Sequence, residues 1–159
     1  MRKSYILWII GIVILIALLV WGGQTAKPKV TFWNNTSITC LARGHENLAL
    51  HIHPVVRIII DGKSEAIPAN VGVTPTCMAE VHTHDTTGTI HLESQQRRDF
   101  TLREFFVVWG KSFSASEIFD YRTGDTHKIK VTVNGEDVDT YENTILRDKD
   151  EIVINYEPI

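Results

Sequence analysis

Basic charge is scarce in this chain of 159 residues, where 16 Lys and Arg face 19 Asp and Glu for a formal net charge of −3. Once Arg2 and Lys3 are set aside, the chain after Gly23 carries 14 basic and all 19 acidic residues, a charge of −5. Neutralising nucleic-acid phosphates needs a basic face, so this balance argues against a nucleic-acid partner. Methionine is limited to Met1 and Met78, which argues against a copper(I) carrier built on soft sulfur ligands. There is no His-Glu-x-x-His, which excludes a zincin. Phosphate-binding loops, Ser/His/Asp arrangements and paired-carboxylate motifs are also missing. The chain is not depleted of apolar residues, so it has the means to bury one core rather than stay disordered.

Long apolar runs are missing too, with one exception at residues 5–21, which hold no charge. Extended by Ser4, Gly22 and Gly23, this run reaches the ~20 residues that a hydrocarbon core of ~30 Å requires of a helix. Tyr5, Trp8 and Trp21 lie near its ends and Arg2-Lys3 precede it, which predicts a single-pass membrane anchor over residues 1–23 with a cytoplasmic N-terminus. A cleaved signal peptide is the alternative, and both readings export the remainder of the chain. Residues 24–37 then read as a polar stalk and residues 38–159 as an extracytoplasmic domain at the cell membrane, with a neighbouring membrane protein as its partner. In an oxidising compartment Cys40 and Cys77 are expected to pair.

The exported part reads as α+β and mostly β. Residues 55–60 are β-branched and run into Asp61-Gly62, a hairpin signal, with residues 64–68 returning. Residues 78–83 and 89–93 flank a second turn containing Asp85 and Gly88. Thr101-Leu102-Arg103-Glu104 has the capping-box form, and Leu102, Phe105, Phe106 and Trp109 recur at helical spacing before Gly110. A shorter helical turn is expected over residues 116–121. Residues 128–133, Asn134-Gly135 and residues 137–140 give another hairpin, and residues 151–156 a closing strand. Val131-Thr132-Val133-Asn134-Gly135-Glu136 is similar to Ile58-Ile59-Ile60-Asp61-Gly62-Lys63, a recurring hairpin, and the C-terminal stretch resembles the ending of a β-grasp domain.

Six of the seven histidines fall between positions 45 and 91. His51-Ile52-His53 and His82-Thr83-His84 are both His-x-His, and His91-Leu92-Glu93 adds His-x-Glu. In a strand, residues i and i+2 share a face, so each pair is able to close on one ion and two neighbouring strands to supply four ligands. His51, His53, His82 and His84 are the leading candidate metal ligands. His91 stands in reserve, Asp85 or Glu93 serves as carboxylate ligand or acceptor, and His45 with Glu46 is peripheral. Imidazole with carboxylate suits copper(II) or zinc among the divalent transition metals. A blue-copper site would instead need Cys77 unpaired.

The residues His51-Ile52-His53-Pro54, Ile67-Pro68-Ala69-Asn70-Val71-Gly72-Val73, Cys77, the run His82-Thr83-His84-Asp85 through Glu93, and Phe100-Thr101-Leu102 with Phe105, Phe106, Trp109 and Gly110 resemble a group of small exported proteins of unassigned function. Arg103 departs from the smaller residue expected there. The resemblance implies an exported domain with a characteristic histidine motif.

These residues are compatible with three functions. The first is a membrane-anchored extracytoplasmic module that binds copper or zinc through clustered histidines. The second is a metal-dependent enzyme, with Asp85 or Glu93 as general base toward metal-bound water. The third is a structural or interaction domain without metal, whose histidines tune a contact by pH.

Overall fold

The computed structural model describes Trp33, residues 36–41 and residues 45–159. The expected anchor over residues 1–23 and most of the expected stalk lie outside the described residues. Among those described, no helix is long and apolar enough to cross a membrane.

In chain order the elements are β1 (Leu50–Ile52), β2 (Val55–Ile60), β3 (Lys63–Glu65), β4 (Val73–Thr74), β5 (Cys77–Met78), β6 (Val81–His82) and β7 (His91–Ser94), followed by the helix α1 (Leu102–Trp109). After it come β8 (Glu117–Ile118), β9 (Tyr121–Arg122), β10 (His127–Val133), β11 (Glu136–Val138), a single 3-10 turn (Tyr141–Asn143) and β12 (Glu151–Pro158).

Two Gly-containing turns build the main sheet. Asp61 and Gly62 both take positive φ, as do Asn134 and Gly135, which is the backbone of a two-residue hairpin loop whose twist matches the strands it joins. The flanking pairs are Ile60 with Lys63 and Val133 with Glu136. Both hairpins then dock on β12, giving the order β11-β10-β12-β2-β3. The β12 strand runs antiparallel to β10 and parallel to β2, so the two similar hairpins flank it in opposite directions. Alternation sends Val56, Ile58, Ile129, Val131, Ile152 and Ile154 into one core.

Helix α1 covers part of that core with Leu102, Phe105 and Phe106. Glu104 accepts a hydrogen bond from the Thr101 amide at 3.1 Å, and Gly110, at φ 72°, ends the helix in the left-handed conformation.

The expected α+β class with one or two short helices is corrected by the structure, and the expected transmembrane helix lies outside the described residues. The described chain is mostly β with one α-helix of eight residues. At the expected β-grasp-like C-terminal ending, the last strand is the centre of a sheet that reaches back to β2, parallel to it and antiparallel to β10. The helical turn expected over residues 116–121 is instead the hairpin β8-β9, because Ile118 is drawn into the core and Phe119 turns the chain at φ 55°. The single strand expected over residues 78–83 is broken at Ala79 and Glu80. Cys77 and Met78 pair with β4, whereas Val81 and His82 pair with β7.

Gly72 sets the spacing between the β4 loop and β6. It sits at φ 73°, and a Cβ there would lie 2.6 Å from the Val81 carbonyl oxygen and 2.8 Å from a Val108 methyl. Gly110 shares the positive φ but has nothing within 4 Å of that position. Gly72→Ala is therefore expected to destabilise by about 2 to 4 kcal/mol, from backbone strain plus overpacking, and Gly110→Ala by about 1 kcal/mol. Urea denaturation of the two variants checks this ordering; equal losses would contradict it.

Candidate metal centre

A three-stranded sheet of order β1-β7-β6 carries His51, His82 and His91, with His53 and His84 just past the ends of β1 and β6. Its register pairs Ile52 with Leu92 and Leu92 with Val81, an apolar row whose members on β7 and β6 are fully buried. One residue along, His51 pairs with Glu93 and His91 with His82. Because neighbours along a strand point to opposite faces, the imidazoles and Glu93 share the face that the apolar row leaves. The period-two spacing of His-x-His and His-x-Glu thus becomes one polar patch backed by core.

Thr83 fixes the His82-Thr83-His84 segment from within. Its hydroxyl donates to the Pro68 carbonyl at 2.7 Å and accepts from the Val71 amide at 3.0 Å. Its own amide donates to the Val71 carbonyl and its carbonyl accepts from the Asn70 amide. With the intervening residue clamped on both sides, His82 and His84 project together. Asp85 then starts the turn, accepting hydrogen bonds from the Thr87 amide at 2.8 Å and the Thr87 hydroxyl at 2.6 Å. Those two bonds hold its carboxyl below the usual carboxylate range. Asp85, expected as a metal ligand or acceptor, is exposed and engaged in this turn, and it belongs to neither of the two groups in which the histidines converge.

His82 is fully buried. Its Nδ1–H donates to the Ala79 carbonyl at 2.9 Å, so in the neutral ring Nε2 carries the lone pair. Burial lowers its pKa from 6.5 to about 4, against a smaller opposing effect of that backbone bond. The free Nε2 faces His84 Nε2 at 3.1 Å. Two nitrogens bound at ~2.0–2.1 Å to one tetrahedral ion stand ~3.3 Å apart, so the pair is spaced as two ligands of one metal.

His91 lies between the two His-x-His segments. Its ring centroid is 4.6 Å from that of His84, 4.7 Å from His53 and 5.3 Å from His82. Burial first, and the neighbouring His84 and His53 second, lower its pKa. Among the described residues two groups have donor atoms all within 4.8 Å of one another, His82 with His84 and His91, and His51 with His53 and His91. The ligand held in reserve at the sequence level is therefore the shared one. Its strand separates the two His-x-His strands, which were expected to be neighbours.

Glu93 is buried, at 1% exposure. Its Oε2 receives His45 Nδ1 at 2.6 Å, and Oε1 lies 3.2 Å from His51 Nε2 and 3.9 Å from His91 Nδ1. The part played by His45 was missed in the sequence because its partner is 48 residues away. Cys40 and Cys77 form the expected disulfide, which leaves no free cysteine among the described residues and removes Cys77 as a ligand. The bridge closes beside the site: Cys40 is paired across to Ala79, the residue whose carbonyl orients His82. His127, outside the cluster, stacks on Tyr156 and contacts Asp61.

The buried neutral His82 makes the metal-free protein acid-sensitive. Unfolded, the ring takes a proton near its ordinary pKa of 6.5; folded, only near 4. Between these values the unfolded chain binds more protons, so stability is complete above about pH 6.5 and is lost as pH falls to about 4. The gap corresponds to about 3 kcal/mol. His91, lowered in the same direction, adds to the loss. Urea midpoints measured from pH 7 to pH 4 should fall steeply for metal-free protein and less for His82→Gln. Parallel curves for the two proteins would contradict the assignment.

No protein-family model, curated protein or solved structure matches this chain.

Proposed function

We propose that this protein is an extracytoplasmic metal-binding module that holds a divalent transition metal, copper or zinc, on its clustered imidazoles. The observation that carries this reading is the His82, His84 and His91 group, with one imidazole buried, neutral and oriented before any ion arrives. A ligand that is already deprotonated and fixed by a carbonyl at its other nitrogen costs little to recruit. The available donors are nitrogen and carboxylate oxygen, because both cysteines are consumed in the disulfide, and that set suits zinc or copper(II). The disulfide also fits an oxidising compartment. The apolar segment at residues 5–21 supports attachment to a membrane, where a neighbouring membrane protein is the partner for a carried ion.

A second reading, metal-dependent hydrolysis, is favoured by one feature. Three histidines per group leave a tetrahedral ion one position for water. In that reading Glu93, and not the turn-bound Asp85, is the nearby base. A rate of activated-ester cleavage that requires the metal and disappears in Glu93→Gln would favour it over simple binding.

The full chain, stripped with chelator, reloaded with zinc or copper(II) and desalted, should retain at least one equivalent of tightly bound ion. His82→Ala combined with His84→Ala should weaken retention at least tenfold, in keeping with the loss of two of three ligands. Undiminished loading of that double variant would contradict the proposal.

A further inference from the structure

Glu93 Oε1 and His91 Nδ1 are both buried, and neither makes a hydrogen bond to any described residue. They lie 3.9 Å apart, and His51 Nε2 approaches the same carboxylate oxygen at 3.2 Å. Glu93 Oε1 is thus the acidic group beside the His51, His53 and His91 set, whose donor atoms lie within 4.8 Å of one another, and it stands next to that set as a charge partner. His53, whose ring centroid is 4.6 Å from that of His51, completes this side of the patch. A buried carboxylate facing only imidazoles is costly without a positive charge to pair with, and a bound cation supplies it.

From these contacts we infer that the patch is a two-ion centre. The first ion sits on His82, His84 and His91, and the second on His51, His53 and His91 beside the Glu93 carboxylate, with the His91 ring serving both. This inference rests on the reading of the His82 group as a metal site. Nδ1 of His91 is turned toward Glu93 and serves the second ion; Nε2 serves the first. A ring that binds ions through both nitrogens gives up its N–H proton to solvent and becomes a bridging imidazolate, which lets two dications approach. The negative charges of that ring and of Glu93 offset their repulsion. The second position is the more open of the two, since His51 is 48% exposed whereas His82 is fully buried, so it is the weaker and more exchangeable position. Elsewhere in the described chain, the groove along β10 and β11 and the stacked His127 bring no comparable set of converging donors.

Stoichiometry tests this directly. The full metal-free chain titrated with zinc should saturate at two equivalents, and His51→Ala combined with His53→Ala should lower the capacity to one. Those two side chains lie at the accessible edge of the patch, so the variant does not depend on replacing a buried group; Glu93→Gln is the second variant and should weaken the second equivalent at least tenfold. Titrated with copper(II), the wild-type chain should give an isolated-ion electron paramagnetic resonance signal at one equivalent. That signal should lose intensity at two equivalents as the bridged ions couple. Saturation at one zinc, or an unchanged capacity of two in the His51/His53 variant, overturns the two-ion centre and leaves the first site standing. Binding of no ion at all overturns both.

Discussion

A single buried hydrogen bond, from His82 Nδ1–H to the Ala79 carbonyl, is the contact on which the imidazole patch depends. It selects the tautomer of a ring that is fully buried and neutral, and it aims the remaining lone pair at His84. Ala79 is itself held from three directions. Its amide donates to the Gly72 carbonyl at 2.8 Å, its backbone bridges to Cys40, and the disulfide joins Cys40 to Cys77 two residues away. Loss of the carbonyl's position would leave a buried polar ring without its partner, a penalty of about 1 to 3 kcal/mol, and would free the ring to turn.

The strand that carries His91 and Glu93 is anchored at its other end by a charged network. Ser94 donates to Glu80 at 2.6 Å, and the Thr39 amide donates to the same carboxylate at 2.9 Å. Arg98 contacts Glu80 at 3.8 Å, pairs with Glu104 at 2.8 Å and lies over the Phe100 ring. Ion pairs this far withdrawn from water add little net stability. Here they tie β7, the segment around Cys40 and the start of α1 into one frame. The shared histidine therefore sits on the best-supported strand of its sheet.

Local chemistry was legible in the sequence. Asp61-Gly62 and Asn134-Gly135 announced their hairpins because positive φ at both positions is a property of those residues, and Thr101 through Glu104 announced the helix start in the same way. The shared face of His51 and His53 and the return of His91 beside His82 came from strand alternation and a short turn. What depended on distant pairing was not legible. Nothing local places β12 between two hairpins, one parallel and one antiparallel to it. The insertion of β7 between the two His-x-His strands made His91 central, and only the sheet order reveals that. Asp85, a carboxylate beside histidines, has one oxygen engaged by two short bonds from Thr87, a turn that the sequence places but whose bonding it does not show. His45 was passed over because its contact with Glu93 is made across 48 residues of chain.

The histidine patch is proposed to hold a metal through imidazole nitrogens already set in place by the fold. Anomalous X-ray diffraction from crystals of zinc-loaded protein, collected on both sides of the zinc edge, tests it most directly. The predicted result is a strong anomalous peak about 2.0–2.1 Å from His82 Nε2 and from His84 Nε2, with His82 Nδ1 still bonded to Ala79. Anomalous density confined to other parts of the surface, or a His82 ring turned away from the Ala79 carbonyl in the loaded protein, would contradict it.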